Sequence, residues 1–236
     1  MKLLALLGIC AGSLPGYVEK ANTQQKPITA INIALDPDTT MIRHAETANG
    51  RLLKDYPNGF AFDASHRPHI TLLQRYVLTE NLDKIYNAVG KVITGVQVAD
   101  WKLKASRYYF TPWNNQGILI LIVEPTDDLL KLQLKLIDAI APFTVKTGTA
   151  AAFFITADDR NINPSTIEYV AGFIPNQTGS NFHPHVTLGV ASEDYLKGMI
   201  AEPFEAFTFS PAGVSVYQLG NFGTARKKLK GWSAGP

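Results

Sequence analysis

One short pattern occurs twice in this chain, with the form Pro-His-aliphatic-Thr-Leu. The two copies are Pro68–Leu72 and Pro184–Leu188, and about half of the chain separates them. Successive side chains of a β-strand point to opposite faces, so each copy places its histidine and threonine on one face and its aliphatic residues on the other. Each copy therefore predicts a strand that is anchored in a core and presents an imidazole beside a hydroxyl. Two such strands facing each other would form one site.

The rest of the chain mixes strand and helix patterns. Ile31, Ile33 and Leu35 alternate at period two, which predicts a strand. Leu129, Leu132 and Leu136 recur at helical spacing. Further strands are predicted over residues 101–110, 118–123, 150–156, 204–209 and 214–219. This mixture predicts an α+β fold with two sheets.

The N-terminus predicts a segment separate from the folded unit. Met1–Cys10 has one lysine followed by an apolar run that is too short to cross a bilayer, as in a secretory signal peptide. The alternative is an exposed start or a buried first strand. We predict a signal peptide over 1–21, a flexible leader over 22–28, a folded unit over 29–230 and a tail over 231–236. The protein would then be periplasmic or secreted, and cytoplasmic if the leader is not a signal.

Composition narrows the classes of partner. The formal net charge of +2 gives no reason to expect a long nucleic-acid track, and we interpret the basic cluster Arg226–Lys230 as a solvated chain end. The one cysteine, Cys10, falls inside the predicted signal peptide, so the mature chain would have neither disulfides nor a cysteine nucleophile. We expect no stable membrane partner and see no sign of an obligate protein partner.

The motif residues suit the opening of a cyclic phosphate. That reaction needs a base that takes a proton from water and an acid that protonates the departing ribose oxygen. An imidazole titrates near neutrality, so one of His69 and His185 can be neutral while the other is charged. The hydroxyls of Thr71 and Thr187 can donate to the non-bridging oxygens, where negative charge builds up. Either histidine can be the base, because the two would titrate as a coupled pair.

The two motifs resemble those of the 2H phosphoesterase superfamily, which includes 2′-5′ RNA ligase-like proteins and cyclic phosphodiesterases. Ile33–Pro37 and the closing strands support the resemblance, which covers about residues 29–229. It implies two pseudo-symmetric α+β lobes with antiparallel sheets around a central groove that carries both His-x-Thr motifs. It also implies hydrolysis of 2′,3′-cyclic phosphates on nucleotides or short RNA ends without a metal or cofactor, with 2′-5′ RNA ligation as the reverse reaction.

That resemblance implies catalytic roles for His69 and His185 and phosphate binding by Thr71 and Thr187. The chain departs from RNA ligase-like relatives that carry a basic residue soon after the second motif, because Gly189–Ala191 follows here. This departure argues against tight binding of long RNA.

Several other residues are candidates for substrate contacts. Arg107 would meet a phosphate, and His66 and His183 would lie at the rim of the site, although each also fits an ordinary surface position. Aromatic rings can stack on a base, and the alternative for each is packing in a core or on a sheet. The aromatic candidates are Tyr76, Tyr108, Tyr109 and Trp113.

Two further classes of protein remain open at this stage. A nucleotide-binding module of the same fold would bind tightly without turnover, whereas the enzyme would give a bell-shaped pH-rate profile. A metal-dependent hydrolase would lose activity with a chelator. The spacing of His183 and His185 also occurs in metal sites, but no Asp or Glu stands beside either motif, so we expect no metal.

Overall fold

The computed structural model describes residues 26–157 and 159–233. The predicted signal peptide lies outside the described residues, as do the last three residues of the predicted tail. The strands in the described part are β1 Ile28–Pro37, β2 Ile70–Leu78, β3 Leu103–Trp113, β4 Gln116–Val123, β5 Thr144–Val145, β6 His185–Ser192, β7 Phe207–Phe209, β8 Pro211–Leu219 and β9 Ala225–Ser233. The helices are α1 Thr39–Asp55, α2 Leu82–Thr94, α3 Asp127–Ile140, α4 Pro164–Ala171, α5 Phe173–Gln177 and α6 Glu193–Ala201.

The strands form two antiparallel sheets. The first has the order β5-β2-β1-β8-β9 and the second the order β6-β4-β3-β7. The first motif therefore leads into β2, inside the first sheet, and the second motif opens β6, at the edge of the second. This arrangement confirms the predicted α+β fold with two antiparallel sheets.

The alternating pattern of β1 places its large aliphatic side chains on the core face of the first sheet and Asn32 on the other face. Ile31, Ile33 and Leu35 are fully buried in the main core. Asn32 lies on the opposite face, where it bonds to Thr71 of the neighbouring strand. Period two therefore separates a core face from a face that carries polar groups.

Helices cover the two motif strands from the core side. Asp38 caps α1 by accepting a bond from the Met41 amide, and Thr126 caps α3 by accepting from the Leu129 amide. Helix α1 packs on β6, and α3 packs on β2 and α2. Thus α1, which follows β1 of the first sheet, supports the motif strand of the second sheet, and α3, which follows β4 of the second sheet, supports the motif strand of the first.

The predicted strand over residues 150–156 is wrong. A short 3-10 turn spans Ala150–Ala152, and the chain then crosses the sheet in an irregular conformation. Ala152 and Phe153 pack with Tyr76 in a small second core. Ala152 and Phe153 are therefore buried against the sheet, whereas Ile155 is 52% exposed.

The interpretation of Arg226–Lys230 as a solvated end is wrong for Arg226. This residue belongs to β9, is 8% exposed, and forms an ion pair with Asp159 at 2.9 Å. Among the described residues, β1 begins at Ile28 and β9 ends at Ser233. Within residues 26–157 and 159–233, no helix is both long enough and apolar enough to span a bilayer.

Candidate active site

The two motif histidines are held in the same way. The Nδ1–H of His69 donates to the carbonyl oxygen of Arg67 at 2.7 Å, and the Nδ1–H of His185 donates to the carbonyl oxygen of His183 at 2.7 Å. Because a carbonyl only accepts, each bond fixes the proton on Nδ1. In both neutral rings Nε2 is then the atom that takes up or releases a proton.

The structure brings the two histidines together. Strands β2 and β6 belong to different sheets, yet their Cα atoms approach within 8 Å. A charge on His185 lowers the pKa of His69, an effect that operates between close groups. The ring of His185 therefore lies close enough to His69 for its charge to affect that ring.

Burial sets the protonation of this pair. Loss of solvation lowers the pKa of both His69 and His185, because burial disfavours the charged ring. The bonds to the backbone carbonyls oppose this effect in both rings. The nearby carboxylate of Asp36 also favours the charged form of His69, whereas the ring of His183 disfavours the charged form of His185. At neutral pH the free site therefore holds mainly neutral imidazoles.

The two motif threonines are partly exposed beside the histidines. Thr71 Oγ1 accepts a hydrogen bond from the buried amide of Asn32 at 3.2 Å. Since the amide supplies that hydrogen, the hydroxyl hydrogen of Thr71 is free to donate to a phosphate oxygen. Thr187 lies on the same face of β6 as His185, two residues along the strand.

The carboxylate of Asp36 lies near His69 and binds several donors, which was not predicted from the sequence. Asp36 accepts hydrogen bonds from Ser215 Oγ at 2.5 Å, Tyr217 OH at 2.6 Å and Lys228 Nζ at 3.0 Å. The ring of Tyr217 lies 6.3 Å from the ring of His69, centroid to centroid. The alternation of β1 could have indicated the position of Asp36, because period two places it on the same face as Asn32.

The second sheet extends the site away from the histidines. Ile122 pairs with both His185 and Arg107, so these three side chains share one row across the sheet. In the next row Ile120 pairs with both Thr187 and Tyr109. Antiparallel partners lie on the same face. Arg107 and Tyr109 therefore border the surface that carries the second motif, and Tyr109 is 50% exposed.

Other predicted contacts lie away from this surface. Tyr76 is 1% exposed and donates its hydroxyl to the carbonyl of Ile167. Tyr108 points to the opposite face of β3 and packs edge to face on Phe204, with centroids 4.9 Å apart. Tyr76 is therefore buried, and Tyr108 faces away from the motif residues, so neither ring is placed to stack on a base at this surface. The exposed candidates are instead Tyr109 and Trp113.

The two additional histidines have different surroundings. Nε2 of His66 accepts from Arg226 Nη1 at 2.9 Å, and its ring stacks on Phe60 at 5.1 Å between centroids. Burial and the charge of Arg226 lower the pKa of His66, so this ring is a neutral part of the loop before β2. His183 is exposed and contributes its backbone carbonyl to the orientation of His185. In the described ranges, no three His, Cys, Asp or Glu side chains are grouped to hold a metal ion.

The chain is similar to several proteins of known structure. No family model and no curated protein matches it. Among solved structures, Escherichia coli LigT complexed with 3′-AMP is 17% identical, with 89% of this chain and 100% of that chain covered and a TM-score of 0.43. TT0787 of Thermus thermophilus is 15% identical, with coverages of 87% and 98% and a TM-score of 0.49. The PDE domain of MHV ns2 is 10% identical, with coverages of 87% and 100% and a TM-score of 0.42.

At these identities and TM-scores, none of the three likenesses decides what this chain does. The duplicated histidine geometry is independent of them. It consists of the two motifs and of the matching carbonyl bonds that fix His69 and His185.

Proposed function

We propose that this chain is a metal-independent phosphodiesterase that hydrolyses 2′,3′-cyclic phosphates of nucleotides or RNA ends. The observation that carries the proposal is the matched pair of imidazoles, each with Nδ1 bonded to a carbonyl two residues earlier. A site built for binding alone needs neither a base nor an acid. Two equivalent, coupled Nε2 atoms supply both.

The reaction uses each nitrogen once. One neutral Nε2 takes a proton from water as the water oxygen forms a bond to phosphorus. The second imidazole, in its charged form, donates its Nε2 proton to the ribose oxygen as the phosphorus–oxygen bond breaks. The product is a phosphate monoester with a free ribose hydroxyl, and the two imidazoles have exchanged protonation states. The pair supports either assignment of base and acid.

The threonines act on the charge that develops during this step. Negative charge accumulates on the non-bridging oxygens as the fifth bond to phosphorus forms, and a fixed donor stabilises it. Thr71 donates its hydroxyl hydrogen while the Asn32 amide holds its oxygen. Thr187 supplies the corresponding hydroxyl from β6.

The second sheet supplies a surface for the nucleoside. Adjacent strands lie about 4.8 Å apart, so Arg107 and Tyr109 on β3 lie about 10 Å from the motif residues on β6. Ile120 and Ile122 form a partly buried apolar floor across that gap. We place the ribose on this floor, the base against the exposed ring of Tyr109, and a neighbouring phosphate near Arg107. Base stacking on an aromatic ring tolerates any base.

Two finer aspects follow from the same proposal. Run in reverse, the site would join a ribose hydroxyl to a cyclic phosphate and form a 2′-5′ bond, although water in large excess favours hydrolysis. Removal of residues 1–21 as a signal peptide would place this chemistry in the periplasm or outside the cell.

The test is turnover of the four 2′,3′-cyclic nucleotides in the presence of a chelator. We expect the wild type to be active and the His69→Ala and His185→Ala variants each to lose about 100-fold or more in kcat, as for the loss of a general acid or base. A folded wild type that binds these nucleotides without turnover would instead identify a nucleotide-binding module. Activity that disappears with the chelator would identify a metal-dependent hydrolase.

A further inference from the structure

Each motif strand contains a β-bulge at the leucine that follows its threonine. In the first sheet Thr71 pairs with Ala34 and Leu73 pairs with Ile33, so Leu72 has no partner on β1. In the second sheet the residues on either side of Leu188 pair with two successive residues of β4, so Leu188 is the extra residue. A bulge bends its strand and re-aims the neighbouring side chain.

A buried side-chain amide from a helix bonds the carbonyl of each bulge leucine. Gln133 Nε2, on α3, donates to the carbonyl oxygen of Leu72 at 3.0 Å. Asn49 Nδ2, on α1, donates to the carbonyl oxygen of Leu188 at 2.8 Å. Gln133 is fully buried and Asn49 is 4% exposed. Hydrogen bonds of buried amides are costly to remove, so these bonds fix the bulges firmly.

The same two amides also hold the chain that leads into the opposite motif. Asn49 Nδ2 donates to the carbonyl of Phe60, in the segment before the first motif, at 2.9 Å. Gln133 Nε2 donates to the carbonyl of Gln177 at 3.2 Å, and its oxygen accepts from the Gly179 amide at 3.2 Å, before the second motif. Each amide therefore joins the bulge of one motif to the approach to the other.

We propose that Asn49 and Gln133 are paired positioning residues that aim Thr71 and Thr187 at one phosphate by fixing the bulges after them. A purely structural role would require only that buried carbonyls find donors. It would not require the same residue of both motifs to be bulged and bonded from a helix. This inference rests on the proposed function, because it assigns the threonines to a reacting phosphate.

The test is a set of double-variant cycles with 2′,3′-cyclic AMP as the substrate. Gln133→Met removes the donor to Leu72, and we expect kcat to fall about 10- to 100-fold, as misplacement by about 1 Å can cost. In a Thr71→Ala background most of this loss should vanish, because Gln133 acts through the absent hydroxyl. In a Thr187→Ala background the loss should persist. Equal losses in both backgrounds would overturn the proposal.

A matched variant separates positioning from stability. Gln218→Met removes a similar amide, which donates to the carbonyl of Ala152 away from both bulges, and it should leave kcat within about twofold of wild type. If Gln133→Met does not fold, Asn49→Leu, which removes the donor to Leu188, tests the same role at the other bulge, with the Thr187→Ala and Thr71→Ala backgrounds exchanged. A loss of kcat in Gln218→Met equal to that in Gln133→Met or Asn49→Leu, at equal free energy of unfolding, would contradict the assignment.

Failure of the proposed function would give a different result. If the wild type does not turn over, the affinity for inorganic phosphate, followed through the ring protons of the motif histidines, replaces kcat in the same cycles. Weaker phosphate binding in Gln133→Met and Asn49→Leu, but not in Gln218→Met, would support the positioning role without the hydrolase. Unchanged phosphate affinity in both, or a wild type that binds no phosphate, would overturn it.

Discussion

Replacement of Gly189 by alanine tests the geometry of the second bulge. Gly189 directly follows the bulge leucine and has a φ of +153°, a region that residues with a Cβ rarely adopt. A Cβ at this position would lie 2.8 Å from Leu52 Cδ1 and 3.0 Å from Asn49 Nδ2. The added methyl group would therefore strain the backbone and press on the amide that holds the bulge.

The expected loss of stability in the Gly189→Ala variant combines two effects. A backbone conformation of this kind costs about 1–3 kcal/mol in a residue other than glycine. An extra methyl group in a packed core costs about 1–3 kcal/mol, reduced here because the end of the Leu52 side chain can move. We expect the free energy of unfolding to fall by about 3 kcal/mol, which with a urea slope of about 2 kcal/mol/M lowers the midpoint by about 1.5 M. Displacement of Asn49 should also lower kcat.

Urea unfolding followed by circular dichroism measures this loss, with Gly198→Ala as the control. Gly198 lies in α6, and a Cβ there would meet nothing within 4 Å, so this substitution should stabilise the protein by about 0.5–1 kcal/mol. A Gly189→Ala variant as stable as the wild type would refute the strained bulge. So would a midpoint shift of the same sign and size as that of Gly198→Ala.

Three further predictions follow from the site. Burial lowers the pKa values of His66, His69 and His185 in the folded chain, so the unfolded chain binds more protons below pH 6.5. The free energy of unfolding should therefore fall as the pH falls below about 6.5. A urea midpoint that stays constant from pH 7.5 to 5 would contradict this. The acid of the free enzyme is lost as the pH rises, so kcat/KM should decline with an apparent pKa below about 6.5, and an alkaline limb above pH 8 would be inconsistent with these desolvated rings. If His69 is the acid, Asp36→Asn should lower that pKa further, because the carboxylate of Asp36 favours the charged ring of His69. Tyr109→Ala should raise KM for 2′,3′-cyclic AMP about 5- to 100-fold, as expected for a lost stacking interaction of about 1–3 kcal/mol, with little change in the free energy of unfolding. Tyr108→Ala should instead chiefly lower the free energy of unfolding, because its ring packs on Phe204. The opposite pattern would place the base elsewhere.

Local patterns were sufficient for much of the fold. The alternation of Ile31, Ile33 and Leu35 predicted β1, and the duplicated motif predicted which side chains share a face. These features depend only on the period of one strand. Two copies of one pattern also predicted one shared site, and the motif strands β2 and β6 do approach each other.

The bulges required knowledge of the partner strands. A bulge exists only relative to a neighbouring register, and Leu72 and Leu188 look like ordinary core residues in the sequence. For the same reason Asn49 and Gln133 looked like polar residues on amphipathic helices, and nothing nearby in the chain indicates their carbonyl partners. Long-range hydrogen bonds of this kind leave no local pattern.

The hairpin between β3 and β4 shows a related limit. Residues 111–117 looked like a long turn, but β3 continues to Trp113, and Asn114 and Asn115 form a two-residue turn with φ values of 48° and 62°. Asparagine tolerates this left-handed conformation, which suits tight hairpins. Tyr76 and Tyr108 were likewise placed at the site from residue type alone, whereas packing against Phe153 and Phe204 determines their position.

The central claim is that His69 and His185 act on one phosphate. Titration of the histidine ring protons by NMR, with and without saturating inorganic phosphate, tests it directly. The ring of His66, which is already bonded to Arg226, serves as an internal reference. The account predicts that one phosphate per chain raises the pKa of both motif histidines, because a nearby anion favours the charged ring, and changes His66 little. A shift confined to one of the two motif histidines, or an equal shift at His66, would contradict it.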